Sequence, residues 1–243
     1  MSFYEELSKV YDIIFPREEK TLNFLIKDLK PNSKVIDLAC GTGTYSIELA
    51  KRGNEVVGLD LDSEMIRLAE DKKKNLTVRF LAEDMRNAAI KFPHNKYDMI
   101  FCIGNSIVHL DNKVQIEELI KDSYDLLHEN GILTIQIINF DRILKDKIEA
   151  LPTIDRENEG VKFIRKYRHS EEKQKIFFET ELEISKGGKV EKYENSVQLL
   201  PLQSEELLKM LVNAGFHKIS LYGDFSENDF NEKSYALVIR SYK

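Results

Sequence analysis

VIDLACGTGTYSIELA, residues 35–50, is the stretch on which the fold turns. An apolar strand runs through Asp37, a tight turn passes Gly41 and Gly43, and a helical pattern starts at Thr44. Glycines at that place let the backbone approach a ligand at the carboxyl edge of a parallel sheet, where open α/β folds bind nucleotides. A second apolar strand ends in Asp60, seventeen positions after Gly43. A carboxylate there can accept from both hydroxyls of a ribose. Turn, helix and distal acid together predict a nucleotide-type site. A dinucleotide fits less well, because Ser46 replaces the third glycine of GxGxxG and Asp37 is badly placed against a pyrophosphate. Asp37 suits a cationic group instead, an amine or a sulfonium, through Coulomb attraction.

Working outward, strand and helix patterns alternate. Strands are expected at 34–38, 55–59, 76–81, 97–103 and 132–138. Helices are expected at 44–52, 62–71 and 113–127, the last stopped by Asn130-Gly131. This alternation implies right-handed crossovers and a parallel sheet covered on both faces. Before it, Phe3, Leu7, Val10 and Ile14, then Leu22, Leu25, Ile26 and Leu29, mark two amphipathic helices. After it come three long half-polar strands, 161–169, 175–185 and 189–199, with Gly187-Gly188 as a hairpin turn. A helix at 204–214, capped by Ser204, and strands at 218–222 and 235–240 close the chain, the last two antiparallel. The expected fold is α/β: one domain over 1–243 with a Rossmann-like, doubly wound seven-stranded sheet and an antiparallel last strand. Residues 1–30 form its N-terminal helices and 31–150 with 202–243 its core. An antiparallel β meander is inserted at 151–201, over the active site.

Composition narrows the partners. Thirty-six Lys and Arg stand against 42 Asp and Glu, a formal charge of −6, which argues against nucleic acid as the main partner. The start lacks the apolar core of a signal peptide, and the longest apolar-rich run, 132–140, is about half a bilayer span. The expectation is a cytoplasmic protein with no membrane partner. Cys40 and Cys102 show no metal-ligand spacing, so reduced thiols without metal or disulfide are expected.

DLACGTG at 37–43, Asp60 in GLDLDSEMI and AEDM at 82–85 resemble the class I S-adenosylmethionine-dependent methyltransferases. CIGNSIVHL at 102–110, INFDRIL at 138–144 and LYGDF at 221–225 are similar to the glycine N-methyltransferase branch. The resemblance implies S-adenosylmethionine as cofactor and a small-molecule methyl acceptor. It implies that Asp37, Ala39, Cys40, Gly41, Thr42 and Gly43 hold the cofactor's amino-acid end and Asp60 its ribose. Leu61 and Met65 would pack on adenine, Asp84 would accept from its amino group, and the Met85 backbone would meet the ring edge. Cys102 or Ile103 would touch the methionine portion, and Tyr11 would close over the cofactor or simply anchor its helix. Asn105 would orient the acceptor, an amide offering both donor and acceptor; the other reading is a loop residue capping a turn. His109 is a base near neutral pH or a structural hydrogen bonder.

The sequence also departs from that branch. Its carboxylate-binding arginine falls at Ile138, and its tyrosines fall at Leu199 and Leu200. Ile138 cannot make a bidentate carboxylate contact. These apolar replacements point to a larger or less anionic acceptor than glycine. Arg142 either substitutes for the lost arginine or lies on the surface. The basic stretch Arg165–His169 reads as the solvated face of a strand, an anionic substrate tail being the lesser reading. The expected activity is methyl transfer to nitrogen; the alternatives are an oxygen or carbon methyltransferase, a non-catalytic S-adenosylmethionine-binding module and, more distantly, a nicotinamide oxidoreductase.

Overall fold

A computed structural model describes residues 3–94, 96–170 and 175–243. Met1 and Ser2 of the expected N-terminal helices, and residues 171–174 of the expected insert, lie outside the described residues. The chain opens with α1 (Phe3–Ile14) and α2 (Glu19–Ile26). Then β1 (Lys34–Leu38), α3 (Thr44–Lys51), β2 (Glu55–Asp60), α4 (Ser63–Lys73) and β3 (Val78–Ala82) follow. Next come α5 (Ala88–Lys91), β4 (Tyr97–Cys102), α6 (Lys113–Leu126), β5 (Leu127–Ile138) and α7 (Phe140–Lys145). The insert contains β6 (Ala150–Arg156), β7 (Val161–Ser170), β8 (Lys175–Lys186) and β9 (Lys189–Leu199). It is followed by α8 (Ser204–Ala214), β10 (His217–Tyr222) and β11 (Ala236–Tyr242).

The main sheet has seven strands in the order β10-β11-β5-β4-β1-β2-β3. Strands β1 to β5 pair in parallel, while β11 runs antiparallel to both β5 and β10. Because the central strands are apolar on both faces, each residue feeds one of two cores. Ile36, Ile100 and Leu133 pack beneath α6 and α8, whereas Val35, Met99 and Phe101 pack with Leu22, Leu25, Ile47 and Ile66 of α2, α3 and α4. The chain direction of winding reverses between β1 and β4, and the loops after these strands form the ligand crevice of such sheets.

Three features differ from the sequence reading. Asn130-Gly131 does not stop a helix: α6 ends at Leu126, and β5 begins at once with Asn130 (φ 63°) inside it. That pair grips the chain end, Asn130 N–H donating to the Lys243 carbonyl and Lys243 N–H to that of Gly131. The cap of α8 is Gln203, in a reciprocal box with Glu206, rather than Ser204. The insert has four strands, not three, in the order β6-β7-β8-β9. β6 carries Pro152 and lacks alternation, so period-two patterning does not reveal it. Among the described residues no helix is long and apolar enough to cross a membrane.

The insert packs where it can influence the crevice. On one side Phe163, Leu182 and Ile184 bury against Leu7, Val10 and Ile14 of α1. On the other, Tyr167, Ile176 and Leu199 join Val108 and Leu110, which follow β4. Leu200 N–H donates to the Val108 carbonyl at 2.9 Å, tying the insert to that segment.

Candidate functional site

The turn after β1 is held open by an unusual backbone. Ala39, Gly41 and Gly43 all have positive φ, at 61°, 55° and 74°. Ala39 pays for this left-handed position without the freedom of glycine, a strain of about 1–2 kcal/mol that clusters at ligand sites. Two bonds fix the loop: Cys40 N–H donates to the Leu59 carbonyl at 2.8 Å, and Gly43 N–H to the Cys40 carbonyl at 3.0 Å. Gly41 N–H donates to Asp60 Oδ2 at 2.8 Å, while Asp62 N–H donates to Oδ1 at 2.9 Å. Asp60 is thereby aimed along the crevice with a further lone pair on each oxygen, the arrangement a vicinal diol requires. Burial raises its pKa above the ordinary carboxylate value.

Asp37 is buried at the end of β1. Ser46 Oγ donates to its Oδ2 at 2.7 Å, and among the described residues its Oδ1 has no hydrogen-bond partner. Burial is the main cause that pushes its pKa up to about 7, with the Asp60 charge adding to it. A carboxylate left so poorly compensated fits a cationic ligand group. Cys40, half-buried, and Cys102, fully buried at the end of β4, are both free thiols. Burial is the first cause that holds each thiol protonated, pushing Cys102 up to about 12.

Tyr11 comes down on this turn from α1. A methyl group on Gly41 would sit 3.4 Å from its ring, so Tyr11 lies directly over the turn. Burial, and then the charges of Asp60, Asp12 and Asp37, keep the Tyr11 hydroxyl protonated. The next residue, Asp12, is not signalled by any motif, yet it latches α1 to the crevice. It accepts from Thr42 Oγ1 and from Thr44 Oγ1 (3.3 Å) and pairs with Lys72 of α4 at 2.6 Å. Tyr11 also touches Phe15, which packs edge-on against Phe163 of the insert. Turn, entry helix and insert are therefore one continuous packed unit.

The adenine-side expectations are met unevenly. Met65 is buried, but Leu61 is 76% exposed and offers no enclosed wall as it stands. Asp84 caps a short 3-10 turn, Met85–Asn87, by accepting from Arg86 N–H. Its carboxylate is also paired with the Arg86 side chain, which lowers its pKa, so it is not a free acceptor. Met85 is partly buried against the core, and Ile103 is likewise half-buried beyond β4.

Asn105 is a structural clip in this structure. It has φ 68°, its Oδ1 accepts from Ile138 N–H at 3.0 Å, and its own N–H donates to the Gln136 carbonyl at 3.2 Å. Gln136 Oε1 completes the clip by accepting from Gly104 N–H at 2.6 Å. The signal for Gln136 was present as an amide flanked by isoleucines in the apolar run ILTIQIINF. The amide nitrogen of Asn105 and the second lone pair of its Oδ1 remain to meet an acceptor. Asn105→Ala is expected to cost about 1–3 kcal/mol by orphaning a backbone donor, read as a lowered Tm. Wild-type melting with lost turnover would assign Asn105 to the acceptor alone. His109 is exposed overall, its imidazole pKa is lowered by partial desolvation, and among the described residues no side chain hydrogen-bonds its ring.

The departures noted in sequence also resolve. Leu199 and Leu200 are buried in the main core, and Leu200 also borders a cavity that it shares with Tyr167, His169 and Pro201. Arg142 is half-buried and stacks on the exposed Tyr235 ring at 4.3 Å. The stretch Arg165–His169 alternates: Lys166 and Arg168 are exposed, whereas Tyr167 is buried and Arg165 is half-buried. It is not simply a solvated face.

The chain matches known proteins at three levels. Residues 35–131 match the family described as a methyltransferase domain. A carboxy-S-adenosyl-L-methionine synthase of Nautilia profundicola is 30% identical over 94% of this chain and 91% of its own length. A glycine/sarcosine N-methyltransferase of Halorhodospira halochloris is 28% identical over 84% of this chain and 73% of its own. Among solved structures, an S-adenosylmethionine-dependent methyltransferase from Clostridium acetobutylicum shares the fold with a TM-score of 0.82 at 18% identity, covering 98% of each chain.

Proposed function

The chain belongs to the class I S-adenosylmethionine-dependent methyltransferases, and on that premise we propose that it methylates a nitrogen of a small molecule bound beneath α1 and the insert. The observation that carries the reading is the pair of carboxylates, buried Asp37 and half-buried Asp60, set around a glycine turn that Tyr11 covers. The likeness to the glycine/sarcosine N-methyltransferase supports nitrogen over oxygen or carbon.

When bound, S-adenosylmethionine supplies an electrophilic methyl on a sulfonium. In this reading the residues of the chain bind, orient and exclude water. Asp37 faces the ammonium of the amino-acid end, and Asp60 accepts from the ribose hydroxyls. Positive-φ backbone at Ala39, Gly41 and Gly43 supports that assignment by curving the turn tightly, with no Cβ at Gly41 beneath Tyr11. Tyr11 caps the crevice, and the segment after β4 carrying Asn105 borders the acceptor. Holding an acceptor in line can supply roughly 7–11 kcal/mol of the barrier, so positioning suffices without a covalent intermediate. The amine lone pair must arrive unprotonated, a task His109 or solvent base serves.

Asp60→Ala is expected to weaken S-adenosylmethionine binding by about 1.5–3 kcal/mol, the range for hydrogen bonds to a charged group. Titration calorimetry checks it, and unchanged affinity would remove the ribose assignment. The function itself is tested by screening amines, amino acids, hydroxyl compounds and small acids for S-adenosylhomocysteine release. Fast release with hydroxyl compounds and none with amines would favour oxygen methylation.

A further inference from the structure

The inner face of the insert sheet carries polar groups that the fold leaves unsatisfied. Arg165 of β7 lies directly opposite Thr180 of β8, and Tyr167 lies opposite Phe178, so these side chains share one face. Tyr167 and Thr180 are 4% and 6% exposed. Arg165 Nε, Tyr167 Oη and Thr180 Oγ1 are all buried without a hydrogen-bond partner. Three orphaned polar atoms in adjoining positions are not a packing accident, because burying each one unpaired costs free energy.

The charge is unbalanced too. Among the described residues Arg165 forms no ion pair; its only hydrogen bond runs from Nη2 to the Pro152 carbonyl at 2.7 Å. By contrast Arg168, on the outer face, pairs with Glu179. Desolvation lowers the Arg165 pKa, as expected of a guanidinium held among protein atoms without a counter-ion.

The place of this cluster connects it with the reaction. One row along the same face, Phe163 and Leu182 pack against α1, the helix that sets Tyr11 over the glycine turn. One row the other way, Tyr167 and Phe178 pack into the core with Val108, three residues past Asn105. Arg165 and Thr180 thus occupy the row between the cofactor cover and the acceptor segment.

We propose that Arg165, Tyr167 and Thr180 form the subsite that receives a carboxylate of the methyl acceptor. The inference rests on the methyltransferase reading above and names its substrate class. A planar carboxylate matches the guanidinium edge bidentately, and the two hydroxyls can donate to the same oxygens. The family's arginine, replaced by Ile138 on β5, thus has a counterpart on the insert, further from the core strands. The acceptor is then an amine whose carboxylate is separated from the reacting nitrogen by a spacer, with the Tyr167–Phe178 pair (ring centroids 5.4 Å apart) as an apolar wall.

The test uses ω-amino acids from glycine to aminohexanoate, their carboxamides, and phosphoethanolamine. Each is titrated by calorimetry into protein saturated with S-adenosylhomocysteine, and each is assayed for methyl transfer. One carboxylate longer than glycine is expected to be preferred over its amide by roughly tenfold or more. Arg165→Gln should erase that preference by raising KM for the carboxylate form, with S-adenosylmethionine affinity unchanged, and Arg165→Lys should restore part of it. Equal binding of acid and amide, a preference that survives Arg165→Gln, or no binding by any carboxylate would overturn the subsite. Preference for phosphoethanolamine would replace carboxylate by phosphate and overturn it as stated. Neutral amines turned over without acid preference would leave the methyltransferase reading intact. Arg165-dependent carboxylate binding without any methyl transfer would keep the subsite and sink the N-methylation.

Discussion

Gly43→Ala is expected to be among the most destabilising single-methyl additions to this chain. Its Cβ would fall 2.5 Å from Phe80 Cζ, 2.8 Å from Cε1 and 3.0 Å from Ala69 Cβ, at a φ of +74°. Phe80 is buried on β3 and cannot swing outward cheaply. Overpacking of about 1–3 kcal/mol and left-handed strain of about 1–2 kcal/mol add to roughly 2–5 kcal/mol. That is a large share of a typical ~5–15 kcal/mol stability, and Tm should fall on the order of ten degrees. Gly41→Ala is the matched contrast. Its φ is also positive, but the new methyl would meet Tyr11 at only 3.4 Å, so stability should drop by about 1–2 kcal/mol. Its larger loss should be in cofactor affinity, since it fills the space beneath Tyr11. Gly43→Ala with Phe80→Leu should recover part of the Tm. Wild-type melting of Gly43→Ala would refute the packing account.

Asp37→Asn is expected to stabilise the ligand-free protein while destroying cofactor binding. In the fold the Asp37 pKa rises from 3.8 to about 7, chiefly through burial. Below the lower value both folded and unfolded chains hold the proton, and nothing is lost. Between about pH 4 and 7 the unfolded chain releases it while the folded chain keeps it, so stability falls as pH rises. Above 7 the penalty is full, an upper figure of about 4 kcal/mol, and asparagine removes most of it. A cationic ligand inverts the sign of this penalty. Below pH 7 the ammonium must displace the Asp37 proton, so the S-adenosylmethionine Kd should rise by up to about tenfold per pH unit. Calorimetry at several pH values with wild type and Asp37→Asn checks both halves. A variant that melts lower than wild type at pH 8, or that binds normally, would contradict the assignment.

Much of this arrangement was legible because periodicity and turn chemistry report local structure. β1 and β9 match their expected limits, and the antiparallel β11 followed from a connection too short for a helical crossover. The turn after β1 was readable from Gly41, Gly43 and Asp60 alone. What stayed hidden depends on contacts distant in sequence. Asp12 reads as one more surface acid until α1 folds over Thr42. Asn105 matches an acceptor-binding residue by position, but its carbonyl goes to Ile138, a bond no local pattern encodes. Leu199 looked like a pocket position because a tyrosine stands there in the resembled branch, yet it is fully buried in the core. Arg165 looked solvated within a basic run; only the β7–β8 register puts it on the inner face with Thr180.

Delivery of the S-adenosylmethionine methyl to a nitrogen of a small acceptor in the crevice under Tyr11, as proposed above, is open to direct test. The direct measurement is a reaction with S-adenosylmethionine labelled at that methyl, run over the amine and acid panel and read by mass spectrometry and NMR. One acceptor product carrying the intact labelled methyl on nitrogen is expected, formed with stoichiometric S-adenosylhomocysteine and lost in Asp37→Asn. Label found on oxygen or carbon, or retained on the cofactor while every amine goes unmodified, would contradict it.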